Sequence, residues 1–320
     1  MVRRARSRMV RVRAPAKINL TLRVLDRRAD GYHDLRTVFQ TLALHDTLRF
    51  EHRSGPFTLE SDDPACPIDP TNLVWQAAQA LWKASGRRGI VRDVHVRIVK
   101  RIPAQAGLGG GSSDAVATLR ALALLWRREL SPEHLLALAG ALGADVPFFL
   151  AGGTALGVGR GDILFRLADL SPMWVALALP AFGVSTKDAY GWLDEDRAAH
   201  GSGRASRSRS SRRHRHPGAL VNLLPPDEHG NDLERPVRAR HPAVGRLVGA
   251  LVKRGAANAA MSGSGSAVFG LFPTERAARA AARALQGPAC RTFVTRTLAR
   301  RRFEQLTAAS LDLPASRSIV

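Results

Sequence analysis

The sequence predicts an α+β protein of two domains, and three observations predict it. A chain of 320 residues with 45% hydrophobic content can bury a substantial core and is long enough to divide. Runs with apolar residues at period two and runs at helical spacing are mixed along its length. One strand-like run, Val94 to Ile102, passes through a glycine-rich stretch directly into a long apolar helix pattern.

Taken in order, Val10 to Leu25 alternates as a strand, with Val10, Val12 and Ala14 and then Leu20, Leu22 and Val24 on one face. Arg36–Phe50 reads as a second strand pair. Asn72–Ser85 is a helix closed by Gly86, with Leu73, Ala77, Ala80, Leu81 and Ala84 at helical spacing. Asp114–Arg128 is a helix. Ser131-Pro-Glu opens another with an N-cap, a first-turn proline and an early acid, and that helix ends near Gly143. Gly152–Val158 and Trp174–Leu179 are strands. Pro242–Arg254 is a helix with Val244, Leu247, Val248, Leu251 and Val252 on one side and Gly255 at its end. Ala267–Phe272 is a short buried strand, Thr274–Leu285 an alanine- and arginine-rich surface helix, and Arg291–Leu298 a final strand. Residues 199–219 are low-complexity and expected to be disordered.

The glycine-rich stretch carries the chemistry. Residues 103–114 read Pro-Ala-Gln-Ala-Gly-Leu-Gly-Gly-Gly-Ser-Ser-Asp. Glycines 107, 109, 110 and 111 remove the side chains that would keep a ligand from the backbone, so several N–H groups can converge on one anion. Ser112 and Ser113 fall where the helix is expected to start, so its unpaired amides and positive dipole end point into the same space. Such a site suits a polyphosphate. The dinucleotide fingerprint fails because residue 112 is serine, and the P-loop fails because Gly-Lys occurs nowhere in the chain.

A formal net charge of +21 raises the question of a nucleic-acid partner. Its distribution argues against one. Six arginines lie in residues 1–13 and six in 204–215, with no acid in either stretch, and both tracts read as solvated, disordered sequence. The remaining excess, spread over the rest of the chain, needs no more than a polyphosphate ligand to explain it. Met9 is a candidate start, because the periodic pattern begins at Val10. Only five lysines stand against the arginines, yet Lys17 lies in an apolar strand, where a compact point charge differs chemically from a planar fork. Cys66 and Cys290, far apart, give no disulfide framework or metal cluster, which fits a reducing cytoplasm. No apolar run reaches the length of a membrane span, and no h-region follows the basic N-terminus.

Pro103 to Ala115 resembles the central motif of the GHMP kinases, small-molecule kinases that lay ATP phosphates across such a loop. Ala14-Pro-Ala-Lys-Ile-Asn-Leu20 resembles the first motif of that family and Ala260-Met-Ser-Gly-Ser-Gly-Ser-Ala267 the third. Arg28-Ala-Asp-Gly-Tyr-His-Asp-Leu35 and Leu142-Gly-Ala-Asp-Val-Pro-Phe-Phe149 are similar to the branch acting on 4-diphosphocytidyl-2-C-methyl-D-erythritol. The likeness covers most of 10–195 and 230–298 and fails in between. It implies an N-terminal domain like domain 2 of ribosomal protein S5, over 10–165, and a ferredoxin-like C-terminal domain, over 166–305, with the active site in the cleft between them. It also implies ATP-dependent phosphorylation of the 2-hydroxyl of that substrate, in the non-mevalonate route to isoprenoid precursors. Another GHMP kinase activity, or a nucleic-acid-binding role for the arginine tracts, stands as the alternative.

The resemblance distributes roles. Lys17 and Asp145 become the catalytic pair: Asp145 takes the proton from the attacking hydroxyl, and Lys17 holds the alkoxide and the γ-phosphate. Spacing alone favours Asp145 as a helix cap before Pro147, and a snorkelling strand lysine is the rival reading of Lys17. Pro103, Gly107, Leu108, Gly109, Gly110, Gly111, Ser112 and Ser113 bind ATP, and Asn72 contacts adenine, with a helix N-cap as its equal rival. Tyr32 lies against one face of cytosine, His33 at its edge and Tyr190 against the other face, although a buried turn tyrosine would read the same way. Asn19, Ser264 and Gly265 face the substrate, the last two in a loop that a tight αβ turn would also explain. Mg²⁺ is expected to be held mainly by the phosphates and water, with Ser112 or Ser113 as the protein ligand.

Overall fold

Two long strands organise the chain. In this computed structural model, which describes residues 9–199 and 230–312, β1 (Met9–Arg27) and β2 (His33–Pro56) form an antiparallel ribbon. Its register shifts between Pro15 and Lys17, between Asn19 and Thr21, and between Val24 and Arg27. A single strand therefore covers Arg36–Phe50, where a pair was expected. That stretch has no Gly, Pro or Asn on which to turn, and the ribbon bends through bulges instead.

The chain continues through β3 (Thr58–Ser61), α1 (Leu73–Ala84), β4 (Arg92–Val99), α2 (Gly110–Leu125), α3 (Pro132–Leu142), α4 (Phe148–Ala151), β5 (Thr154–Gly159) and β6 (Ile163–Arg166). Next come β7 (Trp174–Pro180), α5 (Thr186–Ala199), β8 (Gly230–Asn231), α6 (Glu234–Arg240), α7 (Pro242–Lys253), β9 (Asn258–Met261) and β10 (Val268–Phe272). The last elements are α8 (Glu275–Leu285), β11 (Cys290–Arg296), α9 (Arg300–Thr307) and β12 (Ser310–Asp312). Among the described residues, the first sheet runs β12-β1-β2-β4-β3, with β5 and β6 added beside β2 and β8 parallel to β1. The second runs β11-β7-β10-β9, all antiparallel. Numbered within that sheet alone the order is 4-1-3-2, the ferredoxin-like arrangement, so the α+β reading holds.

Three cores stack between these layers. Val12, Phe50, Val96 and Ile98 of the first sheet pack with Val74, Leu81, Leu119 and Leu122 of α1 and α2. Ile18, Leu20 and Val38 of the first sheet meet Val175, Leu177, Phe269 and Leu271 of the second. On its other face the second sheet buries Ala176, Val268 and Phe272 against Leu193, Val237, Val244, Leu251 and Ala281 of helices α5 to α8. The even-numbered residues of β1 thus serve all three cores in turn, which leaves Lys17 and Asn19 to point elsewhere. Hydrogen bonds also cross between the sheets: Leu44 N–H donates to Thr295 Oγ1 at 2.9 Å, and Leu298 N–H to the Thr41 carbonyl at 2.9 Å.

Two further expectations are corrected, and one helix was not foreseen. The helix after the glycines starts at Gly110, not Asp114, because Gly109 takes the N-cap position in the left-handed region at φ 71° and leaves the chain free to coil at once. Arg11 and Arg13 belong to β1, since the pairing with β2 begins at Met9, so the basic tract is strand at its end. The helix α5 was not foreseen, for its sequence is charged and interrupted by Gly191. The remaining arginines of 1–8 and the Arg/Ser-rich residues 200–219 lie outside the described residues. Among those described, no helix is long and apolar enough to cross a membrane.

Candidate active site

The bulge between Pro15 and Lys17 brings the Lys17 N–H to the Leu108 carbonyl at 2.9 Å, which ties the glycine-rich loop to β1. The Lys17 side chain, only 3% exposed, donates to Asn19 Oδ1 at 2.6 Å and lies 3.1 Å from Asp145 Oδ2. Asn19 in turn donates to Thr37 Oγ1 at 2.7 Å, and Thr37 donates to the Thr21 carbonyl at 2.7 Å. Each donor–acceptor assignment fixes the next, so the Asn19 amide is held with its oxygen toward the ammonium. The Lys17 ammonium also lies 5.4 Å from the centre of the Phe39 ring.

Asp145 lies in the turn between α3 and α4. It is not a helix cap: Pro147, in helical conformation, occupies that place before α4, and no side chain caps it. The buried Phe148 and Phe149 anchor the turn, leaving the carboxylate 38% exposed, paired with Lys17 and facing the cleft. An anionic oxygen beside a buried ammonium, open on its other side, is what a proton acceptor next to a reacting hydroxyl requires.

Two glycine loops close over this pair. Ser262 Oγ donates to the Gly107 carbonyl at 2.9 Å, and the Gly265 N–H donates to the Ser262 carbonyl at 3.0 Å. A Cβ at Gly107, where φ is +73°, would overlap the Ser262 carbonyl oxygen, and one at Gly109 would come 2.8 Å from the Phe149 ring and 3.0 Å from Lys17 Cγ. A Cβ at Gly263 would stand 3.4 Å from Lys17 Nζ. These glycines are therefore needed for the close approach of the loops to each other and to Lys17. Together they wall a cavity of about 340 Å³ lined by Lys17, Asn19, Asp145, Gly107, Gly109, Tyr190, Ser264 and Gly265.

Several other expected residues do not line that cavity. Gly110 packs on Lys100 and Ile102, and Gly111 is exposed near Leu73. Ser112 is half-buried in the first turn of α2, whereas Ser113 is buried, its hydroxyl without a hydrogen-bond partner, and lines with Val12, Ala14 and Phe149 a small void apart from that cavity. Asn72 caps α1, accepting the Val74 N–H at 2.8 Å and donating to the Pro67 carbonyl at 2.6 Å. Pro103 opens the loop. Tyr32 is 57% exposed beneath the Arg160 guanidinium, 5.5 Å away, and does not line the cavity. Tyr190 stacks on His33, with ring centres 5.2 Å apart, and not opposite Tyr32. Burial pushes the Tyr190 phenol above its usual range, and the nearby Asp145 charge adds to that shift.

The sequence did not point to several partners. Asp194 of α5 holds His33 Nε2 at 2.8 Å. The Asn231 amide donates to the carbonyls of Met261 at 2.9 Å and Gly263 at 2.7 Å, fixing the second glycine loop. Thr186 meets Ser264 at 3.0 Å, oxygen to oxygen. Ser185, three residues before Asp188, caps α5 through the Asp188 N–H at 3.0 Å, a spacing that could have revealed the helix. Finally, Lys100 bridges two buried carboxylates, Asp46 at 2.5 Å and Asp114 at 2.8 Å. Burial raises Asp114 to about 7 despite the attraction of Lys100, with Asp46 adding to the shift, while the two carboxylates raise Lys100 against the effect of its own burial.

A glycine loop at a helix start, a lysine–aspartate pair and a second glycine loop over it define a small-molecule kinase cleft. The chain matches the family model for the GHMP kinases N terminal domain over residues 72–153 and that for the GHMP kinases C terminal over 213–289, and it belongs to the GHMP kinases. Within them its relatives are 4-diphosphocytidyl-2-C-methyl-D-erythritol kinases. That of Anaeromyxobacter sp. (strain K) is 47% identical over 86% of this chain and 85% of its own length. That of Moorella thermoacetica is 41% identical over 89% of this chain and 98% of its own. The crystal structure of a 4-(cytidine 5'-diphospho)-2C-methyl-D-erythritol kinase superposes with a TM-score of 0.69 at 35% identity, covering 90% of this chain and 98% of that one. A homoserine kinase from Cytophaga hutchinsonii, at 17% identity and a TM-score of 0.66 over 98% and 99% of the two chains, shares the fold.

Proposed function

We propose that this chain transfers the γ-phosphoryl group of ATP to the 2-hydroxyl of 4-diphosphocytidyl-2-C-methyl-D-erythritol, in the cytoplasm, as a step of the non-mevalonate route to isoprenoid precursors. The observation that carries the reading is the contact of Lys17 with both Asp145 and Asn19 on the floor of a cleft roofed by two glycine loops. The names and high identity of the relatives support the choice of substrate.

Phosphoryl transfer asks the protein mainly for positioning and charge stabilisation. The N–H groups of the loop ending at Gly109, and of the first turn of α2, face the phosphates. Asp145 Oδ accepts the hydroxyl proton as that oxygen attacks the γ-phosphorus, and Lys17 Nζ, 3.1 Å away, meets the charge that develops on the oxygen and the phosphoryl group. Asn19, held by Thr37, orients Lys17 and offers its amide edge to the polyol. Cytosine recognition falls to Tyr32, His33 and Tyr190. For cytosine to lie between Tyr32 and Tyr190, it must meet the face of Tyr190 that His33 leaves open.

Mg²⁺ suits this cleft as an ion held chiefly by phosphate and water, because a polyphosphate brings its own oxygen donors to a hard cation. Ser112, half-buried in the first turn of α2, or the buried Ser113 would supply the protein ligand. The bound ion supplies neutralisation of phosphate charge.

The test is ADP release from ATP and Mg²⁺ with and without 4-diphosphocytidyl-2-C-methyl-D-erythritol, with Asp145→Asn as control. Release that depends on the substrate and is lost in the variant is expected. Release only with homoserine, mevalonate or a sugar would refute the substrate, and none with any of them would refute the kinase.

A further inference from the structure

A loop this rich in glycine has much conformational freedom to lose before its N–H groups can present a fixed surface to phosphate. Gln105, Gly107 and Gly109 all have positive φ, so the bound shape is not one the chain adopts by default. Something must hold it from outside.

Lys100 to Ile102 form the entry to the loop, directly after β4, and the first turn of α2 forms its exit. At the entry, Asp46 of β2 accepts the N–H groups of Arg101 and Ile102 on one carboxylate oxygen and the Lys100 ammonium on the other. At the exit, Asp114 accepts from the same ammonium at 2.8 Å. Gly110 and Asp114, four residues apart, lie on one face of α2 and both meet Lys100. A Cβ at Gly110 would come 3.1 Å from Ile102 and 3.5 Å from Lys100 Nζ, so that glycine serves this packing. All three charged side chains are buried. The second oxygen of Asp114 has no hydrogen-bond partner, a costly arrangement for a group whose only purpose is packing.

We propose that Asp46, Lys100 and Asp114 form a buried clamp that joins the two ends of the glycine-rich loop and holds it in its nucleotide-binding shape. They are positioning residues that act through the loop. The proposal rests on the reading of that loop as the ATP site.

Buried ion pairs can often be replaced by apolar pairs without loss of stability, and this separates positioning from packing. Lys100→Met alone leaves two carboxylates facing each other and should lower both the thermal midpoint and MgATP affinity. The double variant Lys100→Met with Asp114→Leu removes one of the two facing carboxylates and should recover part of the lost midpoint, since Asp46 keeps its two backbone donors. Its MgATP affinity, measured by calorimetric titration, should stay about tenfold weaker than wild type, because the directional tie is gone. Its KM for ATP should rise more than its kcat falls. As a milder variant, Asp114→Asn keeps an acceptor for Lys100 and should weaken MgATP binding by roughly three- to tenfold. Wild-type affinity in the folded double variant or in Asp114→Asn would overturn the clamp while leaving the ATP site intact. Failure of the wild-type protein itself to bind MgATP would overturn both.

Discussion

Gly107→Ala should disable the enzyme while leaving it folded. The new methyl would overlap the Ser262 carbonyl oxygen and lie 3.0 Å from its carbon and 3.3 Å from the Gly265 nitrogen. All three atoms are backbone, and the carbonyl is pinned by the Gly265 N–H, so no side chain can swing aside. Residue 107 also sits at φ +73°, where an L-residue costs about 1–2 kcal/mol. Moving the loops apart sacrifices the Ser262 hydroxyl bond to the Gly107 carbonyl, about 0.5–1.5 kcal/mol net. With the residual clash, a loss of about 2–4 kcal/mol in transition-state stabilisation follows, roughly 30- to 1,000-fold in kcat/KM. Steady-state kinetics with both substrates, beside a thermal melt, measure it. Gly140→Ala in α3, with nothing within 4 Å of its added methyl, is the matched control and should gain up to about 1 kcal/mol of stability. A folded Gly107→Ala enzyme with kcat/KM within about threefold of wild type would refute the close approach of the two loops.

Other perturbations separate the remaining roles. Asp145→Asn should retain MgATP binding but lose about 10²- to 10⁴-fold in kcat, and a fall of less than about tenfold would remove it as the proton acceptor. Asn231→Ala deletes the two bonds to the second glycine loop and the acceptor for the Leu233 N–H, and should cost about 1–3 kcal/mol in chemical denaturation; an unchanged midpoint would show that the loop does not need it. Tyr32→Ala should raise KM for the cytidine substrate by the worth of one stacking contact, about 1–3 kcal/mol, while KM for ATP holds. An equal rise in both would count against stacking.

The sequence was legible where function is local. Gly107 and Gly109 belong to one short motif and Lys17 and Asn19 to another, and all four line one cleft. Helices with an apolar stripe and a cap, such as α1 after Asn72 and α3 after Ser131, ended within a residue or so of expectation. The contact of Lys17 with Asp145 was different: spacing alone favoured a cap, and only the resemblance to a family joined two residues so far apart. His33 with Asp194, and Asn231 with the second loop, were hidden for the same reason. A hydrogen bond between distant segments leaves no periodicity for a single sequence to display. Gly110 was read as making room for phosphate, and the structure gives that room to Lys100 and Ile102. Composition can say that a side chain must be absent, but not which neighbour requires its absence.

The hydrogen bonds that cross from β2 to the end of β11 have a consequence for how the molecule comes apart. Thr41, Leu44, Thr295 and Leu298 lock backbone to backbone and to hydroxyl across the two sheets, above a core shared by both. Neither half keeps its inner face covered once the other is removed. A severed N-terminal piece would expose Ile18, Leu20 and Val38, and a severed C-terminal piece would expose Val175, Leu177 and Phe269. Heating should therefore melt the chain in one calorimetric endotherm, and the two pieces expressed separately should be sticky and recover activity only when they refold together.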